Sequence, residues 1–149
     1  MKLKKIHKLI IAADGSAASG KTTGAKLISK KYDLHFLSSG LLYRYASYKL
    51  LKYKPKNNIP FLKKQFSNLS LKKLNNNLLH SPEISAHTSI IAKEKKIRNI
   101  LKNFQKKFAK KFNRVCIEGR DIGTVILPKA DVKFFFKCNL NVAAKRRFK

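Results

Sequence analysis

The sequence predicts an α/β fold in which a parallel sheet is flanked by helices. A short apolar run near the start of the chain meets a glycine loop, helical spacing follows that loop, and further apolar runs recur later in the chain. Strands that alternate with helices form parallel sheets with right-handed crossovers. With 149 residues, 44% of them hydrophobic, the chain has the length of one domain with its own core.

The first elements follow from local periodicity. An apolar run rich in isoleucine predicts a buried strand over residues 8–14. After the glycine loop, Ala25, Leu27 and Ile28 form an apolar stripe between lysines, which predicts a helix to about residue 31. LHFL at 34–37 predicts a second strand, and SSGLLYRYASYKLL opens with serine and glycine, which suit a helix start, and continues at helical period.

The rest of the chain divides into a loose region and a second strand-rich region. Three prolines and the triplet NNN interrupt residues 52–96, so short helices and loops are expected there. The later elements are an amphipathic helix over 97–112, a strand at RVCIEG, a turn through RDIGTVILPKA, a strand at DVKFFFKC and a helix that starts at Asn141.

The loop after the first strand has the spacing G-x-x-x-x-G-K-[ST], with Gly15, Gly20, Lys21 and Thr22 at the fixed positions. Phosphate oxygens must be met by several converging backbone N–H groups, and glycine leaves room for their approach. Lys21 can reach the β- and γ-phosphates, and the Thr22 hydroxyl can bind Mg²⁺ directly. The alternative is a strand-to-helix turn that binds nothing. The predicted ATP-binding residues are Gly15, Ser16, Ala17, Ala18, Ser19, Gly20, Lys21, Thr22 and Thr23.

Charge is the most extreme property of the sequence. Lysine and arginine number 35 against 7 acidic residues, so the net charge is +28. A basic chain suggests nucleic-acid binding. The lysines are spread along the whole chain, however, and we expect no specific nucleic-acid partner; a basic RNA-binding protein is kept as the rival from another class. No apolar run approaches the ~20 residues of a membrane span, so we expect no membrane partner and a cytoplasmic protein.

Cysteine and histidine give no metal-ligand pattern. Cys116 and Cys138 lie in apolar runs without C-x-x-C spacing, which predicts two buried, reduced thiols. Asp14, Glu118 and Asp121 fall at or just past the carboxyl ends of predicted strands, where open parallel sheets bind ligands. Arginine is rare beside lysine, and its planar fork suits phosphate. The six arginines are Arg44, Arg98, Arg114, Arg120, Arg146 and Arg147.

The segments ADGSAASGKTT, FLSSGLLYR, IRNIL and IEGRDIGTVILPKADVKFFF resemble, in this order, the signatures of bacterial cytidylate kinase, a nucleoside monophosphate kinase. GRDIGT at this distance from the loop is the most specific of them. The resemblance implies a P-loop NTPase-type core over 1–149, with a small helical or irregular monophosphate-binding region inserted at about 53–97. It also implies that ATP, with Mg²⁺, phosphorylates CMP or dCMP. We expect the chain to be a monomer.

The resemblance assigns the remaining site residues by position. It implies that Ser39, Ser89 and Asp121 contact cytidine, with Tyr43 beside them, and that Arg44, Arg98 and Arg120 hold the acceptor phosphate. Lys21 and Arg120 are then the expected catalytic residues. Glu118 stands where the family usually has Asp and is expected to hold Mg²⁺ through water. The structural alternatives are surface cations for Arg44 and Arg98, a turn residue for Arg120, a turn cap for Asp121 and a buried acid paired with Lys21 for Glu118.

Some positions depart from the family's pattern. Ser38 replaces a usual Asp, Leu41 replaces a small residue and His80 stands where Arg is common, so a P-loop kinase for another monophosphate is the second interpretation. The resemblance also implies that residues 141–149 begin the helix leading to an arginine-bearing lid. The last strand and the C-terminal helix of the family have no counterpart here. We therefore expect weak nucleotide binding, ready aggregation and little kinase activity from the 149 residues alone.

Overall fold

A four-stranded parallel sheet organises the first of two compact units. The computed structural model describes residues 7–148, and its strands are β1 (Leu9–Gly15), β2 (His35–Ser38), β3 (Arg114–Gly119) and β4 (Val132–Phe136). Their order in the sheet is β2-β3-β1-β4, and all three pairings are parallel. The predicted parallel α/β architecture is confirmed.

Helices connect the strands and make up the second unit. One unit contains the described residues up to Ser38 and from Lys106 onward, and the other contains Ser39–Gln105. Within residues 7–148, no helix combines the length and the apolar character needed to cross a membrane. The helices are α1 (Lys21–Tyr32), α2 (Ser39–Tyr53), α3 (Asn58–Ser67), α4 (Pro82–Ile91), α5 (Lys95–Phe112) and α6 (Leu140–Arg147), with 3₁₀ helices at Leu71–Asn75 and Asn77–His80.

The core of the first unit lies between α1 and the sheet. The apolar stripe that predicted α1 is only partly buried, since Ala25 is buried, Ile28 packs at the edge of the core and Leu27 is 64% exposed. β1 and β3, the two interior strands, are buried almost throughout, which explains why their sequences are nearly continuous apolar runs. The buried residues of this cluster are Ile11, Ala13, Ala25, Leu34 and Cys116.

The second unit is helical, and its local signals explain its element boundaries. Ser81 caps α4, because its hydroxyl accepts a hydrogen bond from the Ile84 amide at 3.3 Å, and Pro82 follows at the first helical position. Phe66 packs edge-on against Tyr45 and Phe104, with ring centroids 5.7 Å apart in both pairs. Short helices were expected in this region, and they are present.

The segment after β3 departs from a simple turn. Residues Ile122–Ile126 form one turn of π-helix, in which the Leu127 amide donates to the Ile122 carbonyl at 2.7 Å. Such single turns have no hydrophobic period that a sequence would reveal, and they occur frequently at functional sites. β4 is also shorter than expected and lies at the sheet edge, where Phe134 and Phe135 are 40% and 65% exposed.

The prediction of two buried thiols is wrong for one of them. Cys116 is buried in β3, whereas Cys138 is only half-buried because it lies beyond the end of edge strand β4. Burial raises the pKa of Cys116 to about 11, a hydrogen bond with Ser29 opposes this change, and the Glu118 charge adds to it. We therefore expect the two cysteines to differ in reactivity in the folded protein.

We expect a thiol reagent at pH 8 to modify Cys138 at least about 100-fold faster than Cys116, since a thiolate must form and be reached by the reagent. Mass spectrometry of the labelled peptides measures the two rates, and Cys138→Ser is expected to remove the fast phase. Equal labelling rates for the two cysteines would contradict this prediction.

Folding raises the pKa of Cys116 from 9.0 to about 11. The buried thiol therefore makes its full contribution to the free energy of unfolding below pH 9, and this contribution is lost as the pH rises to 11.

Candidate functional site

The loop between β1 and α1 has the backbone conformation that its glycines permit. A Cβ at position 15 would lie 2.7 Å from the Phe136 carbonyl oxygen, so only glycine lets β4 approach this closely. Gly20 adopts φ 84° and ψ 5°, in the left-handed region. Ala18 also has a positive φ, of 58°. The loop is thus held in a strained, specific shape directly before a helix.

The loop and the start of α1 present unsatisfied polar groups. Among the described residues no side chain caps α1, so the first-turn amides keep their hydrogen-bonding capacity and the partial positive charge of the helix terminus. The Ser19 hydroxyl is buried and has no hydrogen-bond partner within residues 7–148. Lys21 Nζ donates to the Ser16 carbonyl at 3.2 Å, which keeps its ammonium group over the loop. Amides, a hydroxyl and a cation together suit a phosphate group.

A second cation reaches this loop from α6. Arg146 Nη1 donates to the Ala18 carbonyl at 3.3 Å and also contacts Cys138 Sγ at 3.8 Å. The scarcity of arginine marked Arg146 as suited to phosphate, but no sequence signal placed it at this loop, because its position depends on where α6 packs.

Glu118 links the helix start to the end of β2. The carboxylate is 3% exposed, and its Oε1 accepts hydrogen bonds from Thr22 Oγ1 at 3.2 Å and from Ser38 Oγ at 2.5 Å. Within residues 7–148 there is no group of three or more His, Cys, Asp or Glu side chains that could hold a metal ion. The hydroxyl and carboxylate oxygens fit the hard-cation preference of Mg²⁺, which commonly uses one or two carboxylates plus substrate phosphates.

Asp14 positions the segment that follows Arg120. At the end of β1, its two carboxylate oxygens accept hydrogen bonds from the backbone amides of Ile122 at 2.8 Å and Gly123 at 2.7 Å. Arg120 is exposed, and its side chain makes no hydrogen bond or ion pair that the structure records in residues 7–148. Asp121 is half-buried just before the π-helical turn. The position of Asp14 at the end of a strand was predictable from the sequence, whereas its contacts with these amides were not.

The remaining predicted residues belong to the second unit. Arg44 Nη1 donates to the Leu79 carbonyl at 2.9 Å and to Ser85 Oγ at 2.7 Å. Ser89 is exposed, and its hydroxyl donates to the Ser85 carbonyl at 3.3 Å, so Ser85 connects the two. Arg98 is exposed and donates to the Ala92 carbonyl at 3.1 Å, Ser39 is buried at the start of α2, and Tyr43 is half-buried. Their roles toward a substrate remain predictions.

Comparison with known proteins identifies the family. The family model described as cytidylate kinase matches residues 11–149. A cytidylate kinase of Bartonella tribocorum is 42% identical over 144 residues, covering 93% of this chain and 65% of the relative. One of Acidiphilium cryptum is 39% identical with 93% and 66% covered, and one of Clostridioides difficile is 34% identical with 95% and 70% covered. The chain thus spans about two thirds of the length of these relatives, and it belongs to the cytidylate kinase family.

Proposed function

We propose that the protein transfers the γ-phosphoryl group of ATP to CMP or dCMP, giving ADP and CDP or dCDP. An oxygen of the acceptor phosphate forms a bond to the γ-phosphorus, and the bond from that phosphorus to the β,γ-bridging oxygen breaks. The observation that carries this proposal is the glycine loop at the end of β1, with Lys21 over it and the buried Glu118 behind Thr22. Membership of the family supports the choice of acceptor.

On the donor side, the chain supplies positioning and positive charge. The loop residues and the start of α1 hold the β- and γ-phosphates through backbone amides, and Lys21 leaves the Ser16 carbonyl to contact them. Thr22 and, through water, Glu118 are the residues that would hold Mg²⁺, since their oxygens already lie 3.2 Å apart. The ion supplies charge neutralisation on the transferred group.

On the acceptor side, the proposal assigns Arg120 to the CMP phosphate and Asp121 to the base. An exposed guanidinium without a recorded partner can form two parallel hydrogen bonds to a phosphate without breaking an internal one. In the second unit, Arg44 and Arg98 are assigned to the same phosphate, and Ser39, Tyr43 and Ser89 to the cytidine. Arg44 must then exchange its contacts with Leu79 and Ser85 for the substrate.

The test is CDP formation from CMP and ATP with Mg²⁺, with a thermal-shift panel of nucleoside monophosphates beside it. All kinetic assays, including those of the variants below, use the chain extended to the length of its relatives, because little activity is expected from the 149 residues alone. The proposal expects CDP formation and stabilisation by both ATP-Mg²⁺ and CMP. Turnover with a different monophosphate, but not with CMP, would support the second kinase interpretation. Stabilisation by RNA without any response to nucleotides would support the rival binding function.

Arg120→Lys keeps the charge but removes the two-pronged contact, so we expect KM for CMP to rise about tenfold or more. KM for ATP is expected to stay within about twofold of the unmodified protein, because Arg120 is assigned to the acceptor alone. Arg147→Lys is the matched control, since Arg147 is also exposed. A KM for CMP equal in both variants would contradict the assignment.

Asp121→Ala is expected to reduce the preference for CMP over UMP by about tenfold. The exocyclic amine of cytosine can donate a hydrogen bond to a carboxylate, whereas uracil has no such amine. Steady-state kinetics with the two acceptors at one ATP concentration give the ratio of kcat/KM values. If Asp121 serves only as a turn cap, the ratio stays at its original value while stability falls.

A further inference from the structure

A cavity of about 290 Å³ lies within the second unit, at residues that the proposed kinase mechanism does not use. One wall comes from α2, which contributes Tyr45, Tyr48 and Lys49, and the other comes from the 3₁₀ helix at Leu71–Asn75 and the residue after it. All of these residues lie within the same compact unit. The cavity is therefore a feature of one compact unit of the protein.

The cavity is lined by cations without a neutralising carboxylate. Lys49, Lys72 and Lys73 line it, and the two carboxylates that the second unit contains, Glu83 and Glu94, do not. Lys49 is held in place, because its Nζ lies 5.4 Å from the Tyr45 ring centroid and 5.0 Å from that of Tyr53. Three ammonium groups around one space repel each other, and an anion between them removes that repulsion.

Two neutral residues of the cavity wall differ in what they offer a ligand. Tyr45 is 2% exposed, and its hydroxyl is a buried atom without a hydrogen-bond partner within residues 7–148, so this hydroxyl is closed off from the cavity. The Asn76 carbonyl oxygen is occupied by the Leu78 amide at 2.9 Å, which leaves its NH₂ group as a donor.

We propose that this cavity binds a small phosphorylated anion at a site separate from the loop between β1 and α1. Lysine ammonium groups bind phosphate as point charges, and the Asn76 amide supplies a directed donor. The volume of about 290 Å³ lies at the lower limit for small-molecule sites, so the ligand is of the size of a pyrophosphate or a small phosphate ester rather than a polymer.

The test is an NMR titration of the full chain with pyrophosphate, because backbone amides report each site separately. We expect saturable shifts at the amides of residues 72–76, distinct from those of residues 15–22. The double variant Lys72→Gln with Lys73→Gln is expected to raise the pyrophosphate dissociation constant reported by the amides of 72–76 at least tenfold. The shifts of the amides of 15–22 are expected to stay unchanged. The control is Lys63→Gln with Lys64→Gln, an exposed pair in the same unit with the same loss of charge, and its effect is expected to stay within twofold.

Asn76→Asp tests the directed contact, because it keeps an acceptor for the Leu78 amide and removes the NH₂ donor, and it is expected to weaken pyrophosphate binding at 72–76 at least threefold. Linear, unsaturated shifts at these amides would overturn the proposal, as would equal weakening by the two lysine pairs, which would show a general charge effect. A single-stranded oligonucleotide that shifts the same amides at a tenfold lower concentration than pyrophosphate would also overturn it, in favour of a polymer-binding surface.

Discussion

Lys21→Ala is expected to lower CDP formation about 10²–10³-fold, the loss typical when one preorganised charge or donor is removed from a reacting group. The side chain is half-buried at the start of α1, and its recorded hydrogen bond is the one to the Ser16 carbonyl. Because the ammonium group lies over the loop and not in the core, folding is expected to survive the change. Calorimetric titration with ATP-Mg²⁺ is expected to show at least about tenfold weaker binding.

Lys30→Ala, on the exposed surface of the same helix, provides the control for loss of a positive charge from α1. It is expected to change ATP-Mg²⁺ affinity less than twofold. The proposed donor site fails if Lys21→Ala retains the affinity of the unmodified protein while both variants remain folded, as judged by far-UV circular dichroism.

Asp14→Ala is expected to lower the free energy of unfolding by about 3 kcal/mol, since two buried backbone amides lose their acceptor and each orphaned donor destabilises by about 1–3 kcal/mol. The carboxylate is 7% exposed and accepts from Ile122 and Gly123 at 2.8 and 2.7 Å. Urea unfolding followed by circular dichroism measures the change.

Asp14→Asn distinguishes this contact from a general effect of charge. The asparagine oxygen can accept one of the two amide protons, whereas its NH₂ group faces the other, so an intermediate loss is expected. Equal stability of Asp14→Ala and Asp14→Asn would show that the individual carboxylate oxygens of Asp14 do not matter. A stability equal to that of the unmodified protein in Asp14→Ala would show that these amides find other acceptors.

The phosphate-loop strand, the loop and α1 could be predicted because several independent signals agree there. The same short segment is identified by the apolar run of β1, by the spaced glycines and by Lys21 and Thr22. The observed bounds of β1 and the observed end of α1 differ from the predicted ones by only one residue. The signatures that resemble those of the family also predicted that the segment around Arg120 belongs to the site. The parallel sheet followed from the alternation of strands and helices, which leaves few topologies to consider.

The contacts that shape the site could not be predicted because they join residues far apart in the chain. Asp14 binds amides more than 100 positions away, and Glu118 is 96 positions from Thr22 and 80 from Ser38. No local period encodes such a contact. The same limit applies to Arg146, whose position over the loop depends on where α6 packs, and to Cys138, whose exposure depends on β4 being an edge strand.

The central position of β1 has a consequence for how the chain folds. Its two neighbours in the sheet are β3 and β4, and the paired residues Leu9 and Arg114 are 105 positions apart. Closing so long a loop is an entropic loss before any sheet contact forms, so the rate-limiting barrier is expected to be the docking of β1. During synthesis at about 5–20 residues per second, β1 therefore waits roughly 5–20 s for its first strand partner to emerge.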